Sequence, residues 1–307
     1  MTDQADLERV FRSGRRMLWA LCYRLTGVAA DADELLQETF VRAMERAPRA
    51  GDADVTRWLV RVATNLSLDR LRARRRRDYV GSWLPAPVET PQAVASGDGV
   101  EVSYERIESI SYAFLLALEA LPPKTRAVLI LREVLDYAAS EVAEVLGTTE
   151  ANVRVLHHRA RRRLEAFRSK ARPLREVAAT TRAAVQALAS CLVRQDIEGL
   201  QALLTDSVRT VTDSGGEYTA LRAPLIGKER VARFHLETAR RRAPISRLEL
   251  REVNGLAALI IETTPIRPQM APRVVLRCEV DPSGKITELH SILSTRKLTA
   301  IRFRAAS

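Results

Sequence analysis

The stretch Tyr137–Leu164, YAASEVAEVLGTTEANVRVLHHRARRRL, constrains this chain most. Val142, Val145 and Leu146 recur at helical spacing, and Gly147 supplies the left-handed conformation that ends a helix. Thr148 and Thr149 can accept hydrogen bonds from the N–H groups that open a second helix. There Val153, Leu156, Ala160 and Leu164 line one face, while Arg154, His158, Arg159, Arg161 and Arg162 fall mainly outside it. A short helix, a tight Gly turn and a basic second helix follow the helix-turn-helix plan, whose second helix enters the DNA major groove. Such pairs also merely pack inside all-α domains, so the reading needs support from the rest of the chain.

Charge supplies part of that support. Among 307 residues there are 49 Lys+Arg against 38 Asp+Glu, a formal net charge of +11. That balance favours a polyanionic partner, nucleic acid or an anionic membrane surface. No run is long and apolar enough to span a bilayer, and the N-terminus, MTDQADLERVF, lacks the layout of a signal peptide. A cytoplasmic location without a membrane partner is the expectation. Cys22, Cys191 and Cys278 have neither pairing nor metal-ligand spacing and read as small core residues, so no metal or cofactor is expected.

In chain order, Leu7 to Leu25 carry a helical rhythm with a hesitation at Ser13-Gly14, closed by Thr26-Gly27. Asp31 reads as an N-cap with Glu34 in the capping-box place. The following helix puts Leu36, Phe40, Ala43 and Met44 on a buried stripe, leaving Asp33, Glu34, Gln37, Glu38 and Arg42 opposite, either a protein-docking face or a solvated one. A third helix begins near Val55, with Leu59, Val62, Ala63 and Leu66 on its apolar face and Trp58 as an anchor. Arg57, Arg61, Asn65, Arg72 and the run Arg74-Arg75-Arg76-Arg77 are left to meet phosphate; four consecutive arginines repel one another without a partner. The linker from Asp78 to Gly99 is rich in Pro, Gly and small residues, with an apolar triplet, Trp83-Leu84-Pro85, that calls for something to pack against. Helical pattern resumes at Glu101–Leu121, and Pro122-Pro123 marks the next helix start.

The order YRLTG, ADADELLQETFVRA, RWLVRVATNLSLDRLRARRRR and then LEALPPKTRAVLILREVLDYAASEVAEVLGTTEANVRVLHHRARRRL resembles an extracytoplasmic-function sigma factor over residues 7–168. The resemblance implies two all-α helical domains, region 2 over residues 1–77 and region 4 over 101–170, joined by a linker at 78–100. It implies that Asp33, Gln37, Glu38 and Arg42 dock on the clamp helices of the largest RNA polymerase subunit, with the polymerase flap as a further partner. The helix around Asn65, with Arg57, Arg61, Arg72, Arg74 and Arg75, would read the melted −10 element of promoter DNA. Arg154, Val155, His158, Arg159 and Arg162 would meet the −35 element. Val155-Leu156-His157-His158 departs from the usual pattern after the basic residue at 154, so the preferred promoter sequence is expected to differ.

Residues 171–307 have a different texture. Helices are expected at 174–193 and 196–204, a strand at Val208–Thr212, a turn at Asp213–Glu217 and a helix at Gly227–Arg241. Four strand-like runs follow, ISRLELREV, LAALIIET, RVVLRCEV and ITELHSIL, joined by the hairpin signals Asn254-Gly255 and Asp281–Gly284. Helices followed by a meander of strands make an α+β domain. This part is similar to the SnoaL-like domain, a cone-shaped barrel of curved sheet closed by helices, which a subgroup of these sigma factors carries as a regulatory extension. Trp83, Leu84 and Pro85 fit that subgroup's linker motif, and Asp213, Gly215 and Gly216 its loop motif, although Ser214 replaces a Gly and Glu217 stands where Lys is usual. Lys297 and Leu298 fit a third motif; Ser294-Thr295-Arg296 does not. The resemblance implies an intramolecular contact between linker and C-terminal domain.

SnoaL-like cones also include enzymes that work with a His or carboxylate inside the cone. Asp213, His235, Glu279, Glu288 and His290 are the candidates here, but spacing assembles no nucleophile–base pair, and fold analogy alone does not carry activity. The expectation is a sigma factor without catalytic residues. The alternatives are a bifunctional protein whose cone binds or converts a small molecule and an ordinary helix-turn-helix repressor.

Overall fold

A computed structural model describes residues 4–48, 51–76, 79–90, 111–168, 173–242 and 245–303. The chain divides into two compact units, residues 1–78 with 95–171 and residues 79–94 with 172–307. The expected helix at 101–121 lies partly outside the described residues, as does the later part of the linker.

Unit 1 is helical: α1 (Gln4–Thr26), α2 (Ala29–Arg46), α3 (Asp52–Arg76), α4 (Tyr112–Glu119), α5 (Pro123–Glu133), α6 (Ala139–Leu146) and α7 (Glu150–Arg168). The expected hesitation at Ser13-Gly14 is absent. Gly14 has nothing within 4 Å of where a Cβ would stand, so it costs the helix only propensity. Thr26 closes α1 by donating to the Cys22 carbonyl at 2.8 Å, and Gly27 follows at φ 70°. The next helix starts earlier than its sequence implies: Val28 is the N-cap, and Asp31 lies within the first turn, 6% exposed. Its carboxylate accepts from Arg70 at 2.7 Å rather than capping α2, and Glu34 pairs with the same guanidinium at 2.9 Å. Acidic groups in a first turn are favoured by the helix dipole, whichever partner holds them. Along α2, Leu35, Leu36 and Ala43 are buried, but Met44 is 41% exposed, which corrects its assignment to the core.

Unit 2 consists of α8 (Leu174–Arg194), α9 (Ile197–Leu203), β1 (Leu204–Asp213), β2 (Leu225–Ile226), α10 (Lys228–Glu237) continued by a π-helical turn at Thr238–Arg242, β3 (Ile245–Val253), β4 (Leu256–Thr263), β5 (Arg273–Val280) and β6 (Ile286–Ile292). The strands form one sheet in the order β2-β1-β6-β5-β4-β3. Four consecutive strands make the expected meander, and Asn254 (φ 50°) with Gly255 (φ 83°) forms the tight turn between β3 and β4. The first strand departs from it by joining β6 in parallel, with the short β2 on its outer side.

One face of the sheet packs Leu259, Leu276, Cys278 and Leu289 against Val185, Leu188 and Leu192 of α8 and Val231 of α10. The opposite face, which carries Arg277 and Glu279 of β5, is covered as well. There Ala258, Ile260, Val275, Arg277 and Ile292 are each 2% exposed or less, so the sheet is covered on both sides. Leu188 is fully buried where α8 meets the sheet. Leu188→Ala is expected to cost about 2–5 kcal/mol through lost transfer energy and a residual cavity. Thermal denaturation checks this, and a loss well under 1 kcal/mol would show that α8 is not part of the core.

Candidate nucleic-acid interface and linker clamp

The helix-turn-helix in unit 1 forms as its local chemistry dictates. Gly147 ends α6 at φ 58° and ψ 52°, and Thr148 N donates to the Ala143 carbonyl at 3.0 Å. Thr149 Oγ1 then accepts from Asn152 N at 3.2 Å and opens α7. Val153, Ala160 and Leu164 face inward, whereas Leu156 is half-buried. On the other side Arg154, Val155, His158, Arg159 and Arg162 are exposed, forming a continuous basic face with Val155 as its apolar member. Arg154 is held lightly by Glu150 one turn earlier, an exposed pair that a stronger anionic partner can displace.

The basic residues of α3 divide into two groups. Arg61, Asn65 and Arg72 are exposed, with Arg72 paired to Asp69 at 2.5 Å. Arg57 is shared between Asp54 and Glu141 of α6, each at 3.3 Å. Arg74, expected to face phosphate, instead donates to the Thr26 carbonyl at 2.8 Å and pairs with Glu119 at 2.5 Å, its side chain only 20% exposed. A guanidinium that satisfies a helix-terminal carbonyl is a structural tie, and Arg126, 2% exposed, does the same for Leu25 O at 2.6 Å. The side chain of Arg75, and Arg77 entirely, lie outside the described residues.

The acidic and amide patch of α2 is present at the surface. Asp33, Gln37, Glu38 and Arg42 are all exposed; Asp33 accepts from Trp19 Nε1 at 2.7 Å, and Arg42 pairs with Glu38 at 2.9 Å. Sequence reasoning missed the apolar part of this surface. Val41 (52% exposed) and Met44 stand beside the polar residues, and the only signal for them was a hydrophobic stripe wider than one helix face can bury.

In unit 2 the residues of three sequence motifs meet at one carboxylate. Asp213, at the end of β1 and 1% exposed, accepts at Oδ1 from Tyr79 Oη (2.5 Å) and Gly215 N (3.0 Å). Its Oδ2 accepts from Leu84 N (2.6 Å) and Lys297 Nζ (2.5 Å). Lys297 Nζ also donates to Leu84 O at 2.6 Å and lies 4.4 Å from the ring centre of Trp83 and 4.9 Å from that of Tyr79. The cation is thus matched by a carboxylate, a carbonyl and two aromatic faces, which offset its desolvation. Gly215 and Gly216 have φ 60° and 84°, and a Cβ on Gly215 would stand 3.1 Å from Ser294 Oγ. Leu84, Pro85 and Leu298 are buried and Trp83 is half-buried.

The linker continues across unit 2 to the β3–β4 turn. There Val88 exchanges hydrogen bonds with Asn254, Thr90 Oγ1 accepts from Gly255 N at 3.0 Å, and Glu89 pairs with Arg251 at 2.7 Å. Glu217, Ser294 and Thr295, which depart from the subgroup's motifs, are bonded to one another. Glu217 accepts from Ser294 Oγ at 2.6 Å and Thr295 N at 3.0 Å; burial raises its pKa, but these bonds outweigh that and bring it below the usual carboxylate range.

Of the candidate catalytic residues, His290, Glu288 and Glu279 meet around Arg277, whereas Asp213 is taken up by the clamp and His235 stands apart. His290 donates from Nε2 to Glu288 at 3.0 Å while its Nδ1 faces Arg277 at 3.3 Å, and Arg277 also pairs with Glu279. These groups lie on the face turned away from the α8 core, as Asp213 does. Burial raises the Glu288 pKa, but bonds from His290 and Arg209 outweigh it and bring it down to about 2. His235 sits on the opposite side, buried against Thr210 Oγ1 at 3.0 Å, and burial lowers its pKa to about 4. The three cysteines are buried, with the thiols of Cys22 and Cys278 pushed up to about 11 and about 12 by burial. Among the described residues no group of His, Cys, Asp and Glu could hold a metal ion, and no helix is long and apolar enough to cross a membrane.

Comparison with known proteins agrees with this architecture. Residues 10–77 match Sigma-70 region 2, and residues 111–164 match Sigma-70, region 4. The chain is 33% identical over 297 residues to the ECF RNA polymerase sigma factor SigJ of Mycobacterium tuberculosis, covering 94% of this chain and 92% of that one. It is 27% identical over 310 residues to the probable ECF sigma factor SigI of the same organism, covering 98% of each. The crystal structure of M. tuberculosis SigJ superposes with a TM-score of 0.70 at 26% identity, covering 96% of this chain and 99% of that one. The chain therefore belongs to the extracytoplasmic-function RNA polymerase sigma factors, a family that binds core polymerase and promoter DNA. It is of the kind in which the two helical regions are followed by an α+β domain of SnoaL-like fold.

Two outcomes test the site's physics. Asp213→Asn leaves Lys297 buried without its counter-charge and is expected to destabilise unit 2 by about 3 kcal/mol or more, whereas Asp213→Leu with Lys297→Met together should recover most of that. Thermal denaturation compares the single and the double variant with the unaltered chain; equal loss from both would show that the pairing of charge is not what matters. The second outcome concerns pH. A His235 whose pKa falls from 6.5 to about 4 on folding is neutral in the native state. Its contribution is complete above pH 6.5 and lost as pH falls toward 4, because the unfolded chain binds the proton first. His235→Gln should flatten that part of the stability–pH curve, and an unchanged slope would contradict the burial of His235.

Proposed function

We propose that residues 1–77 engage core polymerase and the −10 element, residues 101–170 the −35 element, and residues 171–307 regulate both through the linker at 78–100. The observation that carries this reading is the exposed face of α7, where Arg154, Val155, His158, Arg159 and Arg162 stand clear of a buried opposite face. Arginines projecting from a rigid helix supply the paired donors that guanine presents sites for in the major groove. On α3, Arg61, Asn65 and Arg72 line a basic helix suited to an unpaired strand, with Arg57 recruited from its ion pairs; Arg74 contributes by packing. Asp33, Gln37, Glu38 and Arg42, joined by Val41 and Met44, form the polymerase-docking surface, an apolar patch with a polar rim. The protein would act in the cytoplasm.

The regulatory part rests on the clamp formed by Trp83, Leu84 and Pro85 with Asp213, Gly215, Gly216, Lys297 and Leu298. While it holds, residues 79–90 are fixed to unit 2 and cannot serve as extended tether between the two helical regions. Opening it lengthens that tether.

Run-off transcription with core polymerase tests the DNA assignment. Arg154→Ala and Arg159→Ala should each lower initiation at a −35-dependent promoter about tenfold, in line with about 1–3 kcal/mol per base-reading contact, while core binding stays intact. Full activity from the double variant would remove α7 as the reading helix. Asp33→Ala with Gln37→Ala should weaken core binding without changing promoter preference in whatever complex still forms.

A further inference from the structure

The core of unit 2 is incompletely filled. Between α10, its π-helical continuation and the helix-covered face of the sheet lies a cavity of about 170 Å³, partly open to solvent and walled largely by Leu192, Phe234, Ile261 and Leu276. No Asp, Glu, Lys or Arg is among its lining residues. Its polar groups are hydroxyls and the ring of His235, which stays neutral at pH 7. One of the hydroxyls has nothing to bond: Thr238 Oγ1 is buried without a hydrogen-bond partner, although a helical Thr normally reaches the carbonyl four residues earlier.

A cavity of about 150 Å³ with apolar walls takes up benzene, so this one has room for a single ring. Leaving a charge among such walls unpaired would cost several kcal/mol, which favours an uncharged ligand. An unsatisfied buried hydroxyl costs about 1–3 kcal/mol and gains from a partner. We propose that this cavity binds a small uncharged molecule, about the size of one ring, whose single hydroxyl or carbonyl oxygen pairs with Thr238, and that its occupancy is transmitted to the linker clamp.

The route of transmission is short. Thr212 lines the cavity, and the next residue is Asp213. Leu293 lines it too, and its N–H donates to the Asp213 carbonyl at 2.7 Å. Leu221, a third wall residue, donates from its N–H to Thr212 Oγ1 at 2.8 Å. A ligand that presses on these residues acts on the backbone of Asp213, through the residue before it and through the hydrogen bond to its carbonyl. This second half of the proposal rests on the clamp reading above; the binding site does not.

The test uses the full chain with phenol and benzene as probes, titrated by ligand-observed NMR and calorimetry. Both are expected to bind. Thr238→Val should weaken phenol about fivefold, the worth of one hydrogen bond, and leave benzene unchanged. Ala239→Phe, which places a ring in the cavity, should abolish both, with thermal melting confirming that the variant is folded. Hydrogen exchange of residues 79–90 should slow with saturating phenol, because a ligand bound to the closed form stabilises it. Absence of binding by either probe, or binding that survives Ala239→Phe, overturns the site. Equal phenol affinity in Thr238→Val overturns the assigned oxygen. Binding without any change at 79–90 overturns the transmission and leaves the cavity site in place.

Discussion

The buried pair of Asp213 and Lys297 is the contact on which the organisation of unit 2 depends. It joins pieces far apart in sequence: the end of β1, the linker at Leu84 and the turn that carries Lys297. Taking two charges out of water costs several kcal/mol per ion, so the pair is tolerable only because Tyr79, Gly215 and the backbone of Leu84 complete its hydrogen bonding. An apolar cluster could hold a linker as tightly, but it would not fix which residue sits where. Both backbone groups of Leu84, its N–H and its carbonyl, are used, and that sets the register of the whole segment as it continues to Asn254.

Charge in unit 1 follows the same logic. The chain is strongly basic, yet several arginines do not face a ligand. Arg70 answers Asp31 and Glu34, Arg74 answers Glu119 and the end of α1, and Arg126 does likewise from a fully buried position. These residues satisfy helix-terminal carbonyls and answer carboxylates on neighbouring helices. What remains exposed, on α7 and at Arg61 and Arg72 of α3, is a smaller and better-defined surface than the arginine content alone implies.

Signals that act within a few residues were legible in the sequence. Gly147 between two amphipathic segments defined the helix-turn-helix, and Asn254-Gly255 defined a hairpin whose two strands have the boundaries their alternation implied. The parallel pairing of β1 with β6 was not legible, because nothing local in either strand names a partner that distant. Asp31 was misread for a related reason: a carboxylate before a helical run has the same local sequence whether it caps the helix or meets an arginine from α3. The apolar triplet in the linker announced a contact, and the resemblance supplied its partner, but Tyr79 carried no signal. Likewise Glu217, Ser294 and Thr295 read as isolated departures until the fold showed them bonded to one another. The cavity beside Thr238 is a property of three-dimensional packing and has no trace in periodicity.

Whether the clamp controls initiation is best decided by run-off transcription with core polymerase, comparing the intact chain with an Asp213→Ala, Lys297→Ala double variant at matched core occupancy. If the clamp sets the tether between the two helical regions, initiation from the same promoter changes several-fold while core binding does not. Equal initiation from both chains, with residues 79–90 shown by hydrogen exchange to be released in the variant, would contradict it.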